Sequence, residues 1–205
     1  MLTLLQQQLE ATYRVRAPAI EPFLVTGAQL DEVMGEDRRP ADEWVLVREA
    51  DDGLDLAVWI DEDHRAALEA AGTPARALDR CFGALCAAVE GISHFLLLVE
   101  RSRRDEPVRL LELEAQAEVD KFVVARLHRP ERAAEWHARL FRDARLQPDL
   151  SEDETSRYVE AGRLAAGLCA DLGRHPHTGA LLDDLRRFWR ASGAHRMERM
   201  RALAA

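Results

Sequence analysis

Residues 44–60 read Trp44-Val-Leu-Val-Arg-Glu49, Ala50-Asp-Asp-Gly53 and Leu54-Asp-Leu-Ala-Val-Trp-Ile60. Two runs rich in β-branched and aromatic residues flank an Asp-Gly pair, the combination that two-residue hairpin turns favour. The stretch predicts an antiparallel hairpin over 44–60. It therefore places the chain in the α+β class, because everything after Ile60 follows a helical pattern.

On the N-terminal side, Leu2 to Tyr13 predicts a helix with Leu5 and Leu9 on one side. Phe23-Leu-Val-Thr26, between Pro22 and Gly27, suggests a short strand. Residues 28–43, acidic and broken by Gly35 and Pro40, suggest a short helix and a loop. On the C-terminal side, Asp61 caps a helix that stops before Gly72. Thr73-Pro74 opens another, with proline at the first helical position, running to about Arg103. Asp105 is expected to cap the next helix, with Pro107 in its first turn, and that helix ends before Pro130. A helix from Pro130 to about Asp143 carries Trp136, Leu140 and Phe141. Ser151-Glu-Asp-Glu154 is a capping box opening a helix to Leu172. Thr178 opens the last strong helix, and the tail from His195 is weakly helical. The expected architecture is a bundle of five to six helices (73–205) after a small α+β part (1–72), packed as one compact domain.

Composition narrows the function classes. The chain has 205 residues, 47% apolar and 32% charged, with net charge −9. That balance fits a globular soluble protein and disfavours nucleic acid or an anionic membrane as partner, since phosphate contact needs a basic surface. The apolar run Cys81 to Val99 is interrupted by Glu90 and His94 and reads as a buried helix. The three cysteines match no zinc spacing and suit a reducing compartment. The expected location is the cytoplasm.

Two helices carry the candidate chemistry. Lys121 is the only lysine, against 27 arginines. Lysine is a compact ammonium whose pKa moves on burial, unlike the planar, permanently charged guanidinium. In the helix over 107–127, Glu114, Glu118 and Lys121 fall among Leu110, Leu113, Ala117, Val124 and Ala125, while Glu112, Gln116 and Arg126 fall on the opposite side. The first set is expected to be buried and the second exposed. In the preceding helix, Asp79, Glu90 and His94 share a stripe with Gly83. If the two helices are antiparallel neighbours, Glu90, His94, Glu114, Glu118 and Lys121 form one cluster. It is either an ion-pair network, an acid–base or ligand site, or a carboxylate/histidine metal site using Glu90, His94, Glu114 and Glu118. His175-Pro-His177 is a weaker metal candidate.

Charge is also segregated: residues 28–63 hold 13 acids and 3 arginines, whereas 186–201 hold 6 arginines and one acid. These patches suggest a docking surface for a protein partner or a second copy. With no phosphate loop, nucleophile elbow or Cys-x-x-Cys present, the leading expectation is a bacterial-type adaptor or accessory protein acting through protein contacts. A small enzyme or ligand binder and a metal-binding bundle follow as alternatives. No cofactor is identified, and none is expected.

Overall fold

A computed structural model of the chain describes residues 1–50, 53–143, 146 and 150–205. Among the described residues the elements are α1 (Leu2–Tyr13), α2 (Gly27–Met34), β1 (Glu43–Ala50), β2 (Gly53–Ile60), α3 (Glu62–Ala71), α4 (Pro74–Arg80), α5 (Phe82–Arg103), α6 (Leu110–His128), α7 (Ala133–His137), α8 (Glu152–Gly173), α9 (Thr178–Arg190) and α10 (Gly193–Leu203). The chain is mostly helical with one antiparallel hairpin, and its helices outnumber the expected five to six. β1 and β2 pair from Glu43↔Ile60 to Ala50↔Gly53. Asp51 and Asp52 of the predicted turn lie outside the described residues.

Several boundaries differ from the sequence expectation for local reasons. The expected strand at 23–26 is a single parallel bridge, Leu24↔Val58, after a 3-10 turn at Glu21–Phe23. The helix expected to run from Thr73 to Arg103 breaks at Cys81, whose φ of −144° is non-helical; its thiol donates to the Ala67 carbonyl. Asp105 does not cap α6: it sits at φ 53° in the turn, and α6 begins only at Leu110. The expected 130–143 helix is a 3-10 turn, then α7, then a π-helical turn at Ala138–Arg142. The weakly helical tail is a full helix, α10, capped by the Ser192 hydroxyl.

The chain divides into two compact units. Unit 1 holds Met1–Gln7 and Ala17–Pro107; unit 2 holds Gln8–Arg16 and Val108–Ala205. In unit 1, α5 is the central helix. Its residues from Gly91 to Leu98 are all buried, and the hairpin lies against it at Gly91, where a Cβ would stand 3.4 Å from Val58 and 3.6 Å from Ile60. Among the described residues α5 is the one helix long and apolar enough to cross a membrane by length and composition, and most of it is buried.

In unit 2, α6 and α8 run in the same direction, so that Glu114 meets Arg157 and Phe122 meets Gly173. The return between them passes through α7, where Trp136 is fully buried. α8 starts on the capping box that its sequence announces: the Ser151 hydroxyl accepts from the Glu154 amide, and the Glu154 carboxylate accepts from the Ser151 amide. α10 lies on α8 so tightly that a Cβ on Gly167 would stand 2.5 Å from the Leu203 carbonyl oxygen. Only glycine allows that approach.

Candidate functional site

The five candidate residues divide between the two units: Glu90 and His94 belong to unit 1, and Glu114, Glu118 and Lys121 to unit 2. In unit 1 the expected stripe is interrupted at Cys81, which leaves exposed Asp79 on α4; on α5 it grades from exposed Gly83 to half-buried Glu90 and buried His94. It is therefore not a solvated face along its length. His94 is 7% exposed, and its Nδ1 lies 3.9 Å from Oε1 of Glu43. Glu90 precedes His94 by one helical turn, and ligand atoms of the two lie within 4.8 Å of each other.

Glu43 was not singled out from the sequence, yet the fold positions it tightly. It is the first residue of β1 and pairs across the sheet with Ile60. Successive strand residues alternate faces, so Glu43 shares the face of Val45 and Val58 that lies on α5. There its Oε2 stands 3.5 Å from where a Cβ on Gly91 would be. The signal was available as an acid at the apolar phase of the strand. Unit 1 thus gathers two carboxylates and an imidazole between a rigid strand end and a helix. An imidazole beside carboxylates can exchange protons near neutral pH or act as a metal ligand.

In unit 2 the three candidates form ion pairs. The Lys121 ammonium donates to Glu118 at 2.7 Å, with side chains 10% and 24% exposed. Glu114, which is buried, faces Arg157 of α8 at 3.7 Å. The expectation for the opposite side of α6 fails: Glu112, Gln116 and Arg126 are 5%, 1% and 8% exposed, and Asp120 is 1% exposed. Of the set expected to be buried only Glu114 is, Glu118 and Lys121 being half-buried, so helical spacing did not say which side is covered. Here the polar side is covered by other parts of unit 2.

That covered side holds a hydrogen-bonded network. The Tyr13 hydroxyl donates to Asp120. The Gln116 amide donates to Asp120 and to the Tyr13 oxygen, at 3.1 Å each. Arg196 of α10 donates to the Gln116 carbonyl at 3.1 Å and to Glu112. The Tyr13 ring stacks on Trp189 of α9 with centroids 4.3 Å apart. Burial, then the Asp120 charge, push the Tyr13 phenol well above its ordinary pKa, so it stays a neutral donor. The i, i+4, i+8 spacing of Glu112, Gln116 and Asp120 was visible in the sequence. Their partners, 80 and more residues away, were not.

Other candidates resolve into structural roles. Burial, then the Glu118 and Asp120 charges, raise the Cys169 thiol well above its ordinary pKa, so it remains protonated. His177 caps α9, its Nδ1 accepting from the Ala180 amide, and His175 lies against Asp184 at 3.1 Å. The His-Pro-His turn is thus tied into the fold on both sides of its proline. The basic segment is largely consumed internally. Arg186 donates to the Thr12 and Ala11 carbonyls, Arg187 and Arg199 to Asp184, and Arg196 to Glu112. No protein-family model matches this chain, and no curated protein or solved structure matches it.

Proposed function

We propose that this chain is a ligand-binding protein, with capacity for acid–base chemistry, whose working site is the Glu43, Glu90 and His94 set of unit 1. One observation carries the reading: a buried imidazole on a largely apolar helix stands 3.9 Å from a carboxylate supplied by a different element. Burying ionisable groups is costly unless they are paired or used, and titratable groups gathered in this way mark functional sites more often than chance.

The test is a thermal-unfolding screen of the full chain against divalent cations, oxyanions, small amines and carboxylic acids. A ligand at about 100 times its Kd stabilises by about 2.7 kcal/mol. One class is expected to raise Tm in the wild type and to lose that effect in Glu90→Gln and His94→Gln. No shift in the wild type, or a shift undiminished in both variants, overturns the reading.

A role through protein contacts is the second reading, favoured by the surface of unit 1. Val33 and Val47 are 72% and 47% exposed amid the exposed acids Asp31, Glu32, Glu36, Asp37, Glu49 and Asp55. The partner that suits this surface is basic with apolar spots. The counterpart patch at 186–201 contributes less, because four of its arginines are engaged within unit 2. A cytoplasmic setting accompanies either reading: all three cysteines are free thiols, as a reducing compartment leaves them.

A further inference from the structure

We propose that unit 1 carries a second binding site, for a zwitterionic α-amino acid with an apolar side chain, in a cavity lined by the start of α1, the turn at Glu21 to Leu24 and one face of α3. The site shares no residue with the Glu43, Glu90 and His94 set, so the two readings stand or fall separately.

The cavity has a volume of about 440 Å³, within the roughly 300–1,000 Å³ usual for small-molecule sites. Every residue that lines it belongs to unit 1. Leu2, Leu24 and Leu68 supply apolar surface. Leu2 and Leu68 are buried, and Leu24 is pinned by its bridge to Val58, where the Val25 amide donates to the Val58 carbonyl at 2.9 Å. Glu62, Arg65 and Glu69 of α3 also line the cavity. They are three and four residues apart and so share a helical face. Glu21 adds a further carboxylate from the turn.

Charge selects the ligand class. Each carboxylate of the lining already has a donor from this chain. Glu62 Oε1 accepts from the Gly27 amide at 3.0 Å and from the Trp59 indole at 3.3 Å. Glu21 accepts from the Thr3 hydroxyl, and Glu69 pairs with the Met1 ammonium at 2.6 Å. The Thr3 hydrogen bond lowers the Glu21 carboxyl below its ordinary pKa. Burial pushes the Glu62 carboxyl up, but hydrogen bonds from the Gly27 amide and the Trp59 indole outweigh it. Both acids are therefore ionised at neutral pH. Arg65 differs. It is half-buried, and among the described residues its guanidinium has no ion pair, although Glu62 and Glu69 lie within helical reach. A guanidinium beside apolar surface, left unmatched by its neighbouring acids, is a fork for a carboxylate. A simple acid would enter against three carboxylates, and a simple amine against Arg65. A molecule with both charges suits the whole lining: its carboxylate on Arg65, its ammonium on Glu21 and Glu62, and its side chain on the leucines.

The experiment is isothermal titration calorimetry of the full chain with L-leucine, L-methionine and L-phenylalanine, and with the analogues of each that lack one charge (for leucine, isoamylamine and isocaproate). Circular dichroism confirms folding of the variants. At least one amino acid is expected to bind with a Kd of about 1 mM or tighter. Its two analogues are each expected to bind at least about tenfold more weakly, as loss of a hydrogen-bonded charge implies. Arg65→Gln is expected to weaken the amino acid by at least about tenfold and not to weaken the amine. Glu21→Gln is expected to weaken the amino acid and the amine and not the acid. Glu49→Gln, exposed on β1, is expected to change nothing. No binding of any of the three, an analogue that binds as tightly as its amino acid, or an affinity unchanged in Arg65→Gln overturns the inference. If that unchanged affinity is instead lost in His94→Gln, the ligand belongs to the Glu43, Glu90 and His94 set, and only the present inference fails.

Discussion

Arg196 reaches back 84 residues to place its guanidinium on the Glu112 carboxylate, with both side chains more than nine-tenths buried. The pair is reinforced by the backbone beside it: a Cβ on Gly193 would stand 2.6 Å from Glu112 Oε2. α10 is thus seated on α6 at one end and, through Gly167, on α8 at the other. Removing one partner of a buried pair leaves a charge without compensation, at a cost of about 3–5 kcal/mol. Arg196→Met and Glu112→Gln are each expected to lower unfolding stability by that order in urea, and Gly193→Ala by about 1–3 kcal/mol through overpacking. Changes within about 0.5 kcal/mol, as at ordinary surface positions, would show that α10 is not held this way.

Tyr13→Phe tests the same network from α1. It removes the hydroxyl that donates to Asp120, leaving that carboxylate the Gln116 amide at 3.1 Å. A hydrogen bond to a charged group contributes about 1.5–3 kcal/mol, and a loss of that order is expected in denaturant unfolding. Tyrosine absorbance in the wild type should show one phenol that does not ionise until the protein unfolds in alkali. Ordinary titration of both of the chain's tyrosines would contradict this.

Lys121 tests the reading of the single lysine. Its partner Glu118 is 24% exposed, so part of the charge remains solvated when the pair is broken. Lys121→Met is therefore expected to cost about 1–3 kcal/mol, less than a fully buried pair. Lys121→Arg, with a wider head group in a place 10% exposed, is expected to cost about 1–3 kcal/mol. Thermal or denaturant unfolding distinguishes both from the near-zero effect of a surface residue.

Asp184 sets an acid limit. Burial pushes its carboxyl up, but hydrogen bonds from Arg199 and His175 and the charges of Arg199 and Arg187 outweigh that and hold it at about 2. Its folded pKa lies below its unfolded value near 3.8. The stabilisation is therefore present in full above about pH 4 and is lost as pH falls through 4 towards 2. Asp184→Asn should flatten the stability profile over that window and leave its slope above pH 5 unchanged. An unchanged profile below pH 4 would contradict the assignment.

The sequence was legible where local chemistry alone decides structure. The Ser151–Glu154 capping box, the Thr73-Pro74 start and the hairpin runs need no distant partner. It was illegible where tertiary contacts decide. The stripe of Glu112, Gln116 and Asp120 looks like a solvent face until Tyr13 and Arg196 cover it. Cys81 has no breaker residue beside it, yet it ends α4. Glu90 and His94 were visible as polar residues in an apolar helix. Glu43 was passed over because the β-rich run was read from Trp44, whereas β1 begins one residue earlier and so takes in an acid at the apolar phase of the strand.

The most direct test of the central claim is a side-chain nitrogen–proton NMR spectrum of histidine-labelled protein, recorded with and without the compound that raises Tm in the thermal screen. The chain has seven histidines, and His94→Gln identifies the His94 signals by their loss. If Glu43, Glu90 and His94 form the working site, the His94 resonances shift while those of His64, His175 and His177 stay in place, and Glu90→Gln abolishes the shift. An unmoved His94, or equal movement at His175 and His177, would contradict the account.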